Sequence, residues 1–404
     1  MNDLKKTTVS WQKNEVKRQV VVLFQEVKDF ILNNVSKKDN NYLESSIYGS
    51  IIDNSIYHIR STKSVSSDNQ RKLVSLGKIR YGGSELFFGL LDNLKLTITL
   101  EQLSKEKLLK FPTKVNNHVY EILVIIMDKS SLYLRIDNPD YPLGLINKKS
   151  IGIIGLGSGG SLISTYLAKS GIGKLTLIDG DILLEHNIIR HVCALYDIGR
   201  YKTLAVRDHI LRRIPNVEII TAERDFSIND KNEEDFYKKL LSRVDLIVSA
   251  VGDHAMNSRI NSFAYKNKIP VIYAGAFDKI IGGIMIRVNP LKKSICYDCI
   301  YSKNPDVEHT KVTDKVIFYG RNTNDMFTQP GLGIDIDLIT LPAVKFILST
   351  LLEEKKDSGS FPHDIYYWYN KDLPDRQIET FVLYEERRVL NKRPECSICS
   401  KMTP

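Results

Sequence analysis

The stretch from Ile151 to Lys202 constrains this chain more than any other. An apolar run, Ile151 to Ile154, reads as a buried parallel strand and opens into Gly155-Leu156-Gly157-Ser158-Gly159-Gly160, a G-x-G-x-x-G turn. A helical stretch, Leu162 to Lys169, leads to a second β-rich run, Leu175 to Ile178, which ends at Asp179. Strand, glycine turn, helix, strand and terminal acid make one βαβ unit of the nucleotide-binding kind. The glycines let backbone N–H groups approach a phosphate at the helix N-terminus, where the dipole favours anions. Asp179, about 20 residues beyond the glycines, is placed to bind a ribose diol.

The glycine turn also opens many dehydrogenases, so the charges that follow it decide which nucleotide is meant. Asn187-Ile188-Ile189-Arg190 and then Lys202 put two cations just past the ribose acid, and Asp253 follows the apolar run Val244 to Val251. A nicotinamide cofactor needs neither a cation cluster nor a metal-binding acid at its pyrophosphate. ATP split at its α-phosphate needs both, because cations and Mg²⁺ neutralise the transferring centre and the leaving pyrophosphate. The pattern reads as an ATP site.

With 404 residues the chain has room for two domains, and 43% hydrophobic residues can fill their cores. The net charge of +9 is spread over short pairs such as Lys37-Lys38, Arg212-Arg213 and Arg387-Arg388. It reads either as a solvated surface or as attraction for ATP or an acidic partner. No arginine-rich arm points to nucleic acid. The N-terminus is polar with no signal-peptide core, and no apolar run reaches the roughly 18 residues that a membrane span needs. A cytoplasmic protein is expected, and its five cysteines are then expected to be thiols rather than disulfides.

Ahead of the glycine turn, residues 11–35 carry Val16, Val20, Leu23, Phe24, Val27, Phe30 and Ile31 at helical spacing, which predicts one helix. Residues 39–75 give no assignment. Residues 77–98 read as strands broken by Gly-Gly and Asp-Asn turns, Leu100 to Phe111 as a helix, and Val119 to Ile126 as an apolar run of either type. A small α+β domain over 1–147 is expected, with binding as its job. From 148 onward strands and helices alternate, which predicts an α/β domain over 148–404: a Rossmann-like, mostly parallel sheet with helices on both faces. Strands are expected at 151–154, 174–178, 217–221, 244–250, 269–274 and 282–288, and helices at 159–170, 200–213, 232–241, 256–266 and 336–352. The polar run between Tyr301 and Thr328 is too long for a connector and is expected to be a loop that orders over substrate.

Cys296-Tyr297-Asp298-Cys299 and Cys396-Ser397-Ile398-Cys399 are two CxxC knuckles. Each can supply two corners of a tetrahedral Zn²⁺ site, and four thiolates leave no open position, so the zinc is expected to be structural and to tie the C-terminal tail to the sheet. Cys193 is left over. Two readings stand for it: a small buried hydrophobe or a thioester-forming nucleophile.

These residues together resemble the ubiquitin-activating-like adenylyltransferase superfamily. It includes the sulfur-carrier activators of thiamine and molybdopterin synthesis, ubiquitin-activating enzymes and peptide adenylyltransferases of the microcin C type. The resemblance covers about 148–404 and rests on Gly155-x-Gly157-x-x-Gly160, the Leu-Ile-Asp-Gly-Asp stretch ending at Asp181, Asn187-x-x-Arg190, Lys202, Asp253 and the paired knuckles. It implies that Asp179 holds the ribose, that Arg190, Lys202 and Asn187 sit at the phosphates, and that Asp253 binds Mg²⁺. Asp253 also reads as a helix N-cap. The resemblance further implies a homodimer and an arginine finger before the first strand. Arg135 is the best-placed residue for that role, the alternative being an exposed strand-end charge.

Two departures narrow the reading. Residues 300–330 lack the cysteine that thioester-forming members carry before the last helix. The front domain is foreign to the simple sulfur-carrier activators. Asp253-His254-Ala255-Met256-Asn257 and the tail from Pro394 to Cys399 look most like the microcin C type, whose N-terminal clamp recognises a precursor peptide. The front domain then reads as such a clamp, which takes up a leader as an added strand, or as an unrelated dimerisation domain. The function expected is carboxylate activation by ATP, on a ribosomally made precursor peptide. The alternative substrate is the C-terminus of a ubiquitin-like or sulfur-carrier protein.

Overall fold

The computed structural model describes residues 18–35, 42–52, 56–61, 74–82, 85–90, 95–105, 108–115, 118–126, 132–277, 280, 282–292, 294–303, 317–318, 327–328, 331–352, 361, 363–369 and 384–387. The chain divides into two compact units, Met1–Leu134 and Arg135–Pro404.

The first unit holds β1 (Arg18–Leu23), α1 (Gln25–Val35), β2 (Tyr42–Ile52), β3 (Ile56–Ser61), β4 (Val74–Gly82), β5 (Glu85–Leu90), β6 (Lys95–Thr99), α2 (Leu100–Lys105), β7 (Leu108–Val115) and β8 (His118–Ile126). Its sheet runs β6-β5-β4-β2-β3-β1-β8-β7. β1 lies parallel to both β3 and β8, and the remaining pairings are antiparallel. Val21, Leu23, Val27, Ile31, Ile47, Ile59 and Val124 are fully buried in its core.

The helix expected over 11–35 is corrected here: residues 18–23 form a central strand and the helix begins at Gln25. Three consecutive valines fit either period, and parallel partners on both sides make the strand the better burial for a continuous apolar run. Residues 11–17 lie outside the described residues. The helix expected to Phe111 stops at Lys105. Thr99 and Gln102 form a reciprocal capping box that starts α2, with Thr99 Oγ1 accepting from the Gln102 N–H at 3.1 Å and Gln102 Oε1 from the Thr99 N–H at 3.0 Å. Pro112 then bars a helix, and it is tolerated in a strand because β7 is the sheet's edge.

The second unit holds α3 (Leu143–Ile146), β9 (Ser150–Ile154), α4 (Ser158–Lys169), β10 (Lys174–Ile178), α5 (Lys202–Leu211), β11 (Glu218–Ala222), α6 (Lys231–Leu240), β12 (Leu246–Ser249), α7 (His254–Asn267), β13 (Val271–Ala276), β14 (Gly282–Val288), α8 (Tyr297–Lys303), β15 (Ile317–Phe318), β16 (Phe327–Thr328), α9 (Gly333–Leu351), β17 (Ile365–Tyr369) and β18 (Tyr384–Arg387). The main sheet runs β11-β10-β9-β12-β13-β14-β17-β18. The pairings from β11 through β13 are parallel, and those of β14, β17 and β18 antiparallel. Every residue of β9, β12 and β14 is buried, as befits strands covered on both faces.

From β9 the chain winds outward to β10 and β11, then crosses back to place β12 on the other side of β9. The strand order therefore reverses between β9 and β12. In an open α/β sheet, ligands bind beyond the carboxyl ends of the strands at that reversal. Residues 135–149 belong to this unit, and Tyr141 donates its hydroxyl to the Ser170 carbonyl at 2.8 Å.

Of the loop expected over 301–328, only the end of α8 and the short β15–β16 ribbon are described. Cys396 and Cys399 lie outside the described residues. No described helix is long and apolar enough to cross a membrane.

Candidate active site

The turn after β9 is built by glycines for two separate reasons. Gly155 adopts φ +88°, which L side chains rarely adopt, and a Cβ there would lie 2.9 Å from the Ala250 carbonyl oxygen. At Gly160 a Cβ would fall 1.9 Å from the Gly155 carbonyl oxygen, so α4 can start against the turn only without a side chain. Gly157 caps α4 and offers no side-chain acceptor to its first N–H groups. A Cβ on Gly157 would meet nothing within 4 Å. The helix thus presents an uncapped, positively polarised end at the reversal point, the arrangement that receives phosphate.

Asp179 ends β10 and braces the turn. Its Oδ2 accepts from the Leu156 N–H at 2.6 Å and its Oδ1 from the Asp181 N–H at 2.8 Å. Burial pushes its carboxyl up, while Lys202 and the two backbone N–H groups pull it back. Lys202 opens α5, and its Nζ donates to Asp181 Oδ2 at 2.6 Å.

Asn187 is spent partly on local structure, because its Oδ1 accepts from the Leu184 N–H at 2.9 Å and so closes the 3₁₀ turn Glu185–Arg190. Arg190 ends that turn against the start of α9: a Cβ on Gly333 would lie 3.2 Å from the Ile189 carbonyl oxygen and 3.9 Å from Arg190 Cγ. Lys202 and Arg190 both act electrostatically on His186, whose pKa is lowered first by burial.

Asp253 caps α7, its Oδ1 accepting from the Ala255 N–H at 3.1 Å and its Oδ2 from the Met256 N–H at 3.0 Å. The carboxylate is exposed, and each oxygen keeps a second lone pair, so capping leaves it able to meet a cation. Asn257 fixes the approach to it. The Asn257 side chain accepts from Ser249 Oγ at 2.6 Å and donates to the Val251 carbonyl at 3.3 Å. His254 stacks on Tyr301 with ring centroids 3.4 Å apart.

Gly155–Gly160, Asp179, Asp181, Lys202 and the end of β12 are therefore brought together, with Arg190 close by. Arg135, read as an arginine finger or an exposed strand-end charge, lies exposed in a turn. Cys296 and Cys299 are both fully buried at the start of α8. Two thiol donors three residues apart suit half of a tetrahedral zinc site. Cys193 is buried, and desolvation, with Asp197 beside it, pushes its thiol up to about 12. A nucleophile needs the thiolate, so burial favours the packing reading.

His191 carried no signal in the sequence. Its Nε2 donates to the Leu156 carbonyl at 2.8 Å, and its Nδ1 accepts from the Cys193 N–H at 3.2 Å. Burial lowers its pKa to about 4, against the raising effects of the Leu156 hydrogen bond and of Asp197, and with Lys202 and His209 lowering it further.

A mostly parallel sheet with a glycine turn, a largely buried acid and nearby cations beyond its reversal point has the architecture of the nucleotide-binding α/β class. The chain belongs to the ThiF family, whose model matches residues 143–364. It is 30% identical over 162 residues to the tRNA threonylcarbamoyladenosine dehydratase of Haemophilus influenzae, a match covering 40% of this chain and 60% of that protein. To the sulfur carrier protein ThiS adenylyltransferase of Escherichia coli it is 25% identical over 166 residues, 41% of this chain and 63% of that one. The chain thus spans less than two thirds of the length of these curated relatives. Among solved structures, E. coli MccB with AMPCPP and MccA superposes with a TM-score of 0.50 at 18% identity, covering 67% of this chain and 74% of that one. That likeness is one of fold.

Proposed function

We propose that this protein is an ATP-dependent adenylyltransferase that activates a carboxylate of a ribosomally made precursor peptide. The observation that carries the reading is the convergence of an uncapped α4 N-terminus, Asp179 and the buried Lys202 at the reversal point between β9 and β12. A carboxylate oxygen attacks the α-phosphorus of ATP, the bond to the pyrophosphate oxygen breaks, and pyrophosphate leaves with that electron pair. The product is an acyl-adenylate. No proton moves, because the carboxylate is already ionised at neutral pH, so the site needs no side-chain base or nucleophile. Its work is positioning and charge neutralisation.

In this reading the backbone N–H groups of Gly157 to Gly160 cradle phosphate, and Arg190 and Lys202 offset its charge. Asp181 holds Lys202 in place, and Asn187 shapes the turn that carries Arg190. Asp179 receives the ribose hydroxyls on the lone pairs its backbone partners leave open. Asp253 would hold Mg²⁺, which neutralises phosphate charge when bound. Cys296 and Cys299 with Cys396 and Cys399 would hold a structural Zn²⁺. Arg135 would serve a second copy of the chain in a homodimer. The uses of ATP and of thiol-bound zinc both suit a cytoplasmic setting.

The choice of a peptide rests on the microcin-like Asp253–Asn257 and Pro394–Cys399 stretches, on the missing cysteine at 300–330, and on the burial of Cys193. The first unit, with β6 and β7 as the ends of its sheet, would clamp the leader by strand addition. A ubiquitin-like or sulfur-carrier protein is the second reading. ATP–pyrophosphate exchange separates the two. Exchange driven by a peptide encoded beside this gene supports the first. Exchange driven by a neighbouring small protein ending in Gly-Gly replaces it with the second, and none with either defeats both.

A further inference from the structure

Leu156, inside the glycine turn, is held from two sides. Its N–H donates to Asp179 and its carbonyl accepts from His191 Nε2 at 2.8 Å. The opposite ring nitrogen of His191 accepts from the Cys193 N–H at 3.2 Å. A backbone N–H can only donate and a backbone carbonyl can only accept, so these partners fix the tautomer: Nδ1 is bare and Nε2 carries the proton. His191 also follows Arg190 directly and anchors the 3₁₀ turn, its own N–H donating to the Ile188 carbonyl at 3.3 Å. One imidazole therefore ties the cation-bearing turn to the phosphate turn, across 35 residues of sequence.

The peptide joining Leu156 to Gly157 is trans, and in a planar trans peptide the carbonyl and the following N–H point in opposite directions. Holding the Leu156 carbonyl therefore sets the direction of the Gly157 N–H, away from the imidazole. Gly157 is the N-cap of α4, the place where the turn has open space. An apolar residue at 191 could fill the volume, but it would leave the Leu156 carbonyl without this donor.

Resting on the adenylyltransferase reading, we propose that His191 is a positioning residue of the nucleotide site. By holding the Leu156 carbonyl it aims the Gly157 N–H at a phosphate oxygen of ATP and keeps Arg190 in register with it.

Two substitutions separate the ring's two hydrogen bonds. His191→Gln can place an N–H where Nε2 lies, and His191→Asn can place an acceptor where Nδ1 lies but cannot reach Leu156. Direct ATP titration by calorimetry on the full chain, beside thermal melts, reads the outcome. Binding by His191→Gln should stay within about twofold of wild type, while His191→Asn weakens it about tenfold with the melting temperature held, the cost of an unpaired carbonyl at the site. Equal binding by wild type and His191→Asn overturns the proposal, as does equal weakening in both variants. If wild type itself binds no ATP, the adenylyltransferase reading falls as well, which the variants alone would not cause. The ¹⁵N shift of His191 in the unsubstituted protein gives an independent check. A bare Nδ1 supports the proposal, and a protonated one defeats it even if neither variant folds.

Discussion

The Lys202 ammonium lies 2.6 Å from Asp181 Oδ2, with the lysine side chain 11% exposed and the aspartate 46%. The pair is lopsided: the cation is the buried member and depends on an acid that water reaches. Removing the acid strands a buried charge, whereas removing the lysine leaves Asp181 solvated but also takes from the buried Asp179 carboxyl the cation that offsets its burial. Asp181→Asn should therefore destabilise the protein by about 1–3 kcal/mol. Lys202→Met should cost less stability than Asp181→Asn, Asp179 losing its nearby cation, but lower the rate of pyrophosphate exchange by about a hundredfold. Joining the two changes should recover most of the stability lost in Asp181→Asn. Urea unfolding with exchange assays checks this, and an unimpaired Lys202→Met enzyme would remove Lys202 from the site.

Two glycines of one turn should respond in opposite ways to the same methyl group. At Gly160 a Cβ would fall 1.9 Å from a backbone oxygen, so Gly160→Ala must push α4 off the turn and should cost at least about 3 kcal/mol or prevent folding. Gly157 has open space, and an N-cap change from glycine to alanine costs only about 1 kcal/mol or less. Gly157→Ala should fold and should bind ATP less tightly, because its methyl enters the space a phosphate would take. Melting temperatures and calorimetric ATP affinity decide. Tight ATP binding by Gly157→Ala would place the phosphates elsewhere.

For Asp253, capping and metal binding can be taken apart. Asparagine caps a helix as well as aspartate does, but it lacks the charge. Asp253→Asn should melt with the wild type and lose Mg²⁺-dependent exchange. Asp253→Ala should lose the same activity and about 1 kcal/mol of stability besides. If Asp253→Asn turns over normally, the residue is a cap and nothing more.

Much of the second unit was legible because its strands are continuous buried runs punctuated by glycine, asparagine and aspartate. β10 and β14 fall on the residues expected, and β9 begins one residue before them. The first unit was harder, since Arg18–Leu23 fits both periods and only its two parallel neighbours settle it. At the candidate site, residue types and spacing pointed to Asp179, Asp181, Lys202 and Asp253 as candidates, while their hydrogen-bond partners stayed hidden. Asn187 closes a turn through a backbone N–H three residues away. His191 meets Leu156 only after the chain has passed through α4 and β10, a pairing that no local periodicity encodes.

The zinc proposal predicts a metal content that depends both on the knuckle at the start of α8 and on the C-terminal tail. Cys296→Ala and Cys399→Ala should each abolish bound zinc, read by elemental analysis, and lower the melting temperature. Activity should fail only as the fold loosens. Stoichiometric zinc retained in Cys399→Ala would separate the tail from the site.

Acid should weaken this fold through histidines held neutral. His191 sits near a pKa of about 4 in the folded protein against 6.5 when free, because burial outweighs its hydrogen bond to Leu156 and the nearby Asp197. Between those values the unfolded chain binds the proton and the folded one does not. The contribution of this group to stability is therefore complete above pH 6.5 and is lost as pH falls toward 4. At 1.36 kcal/mol per unit the full contribution is on the order of 3–4 kcal/mol at most. His186 and His209 are lowered in the same direction, each by burial first, and steepen the same limb. Urea unfolding measured from pH 7 to pH 4 should show stability falling throughout, with a shallower slope in His191→Gln, which has no proton to take up. An unchanged slope in that variant would mean that His191 is not held neutral in the folded protein.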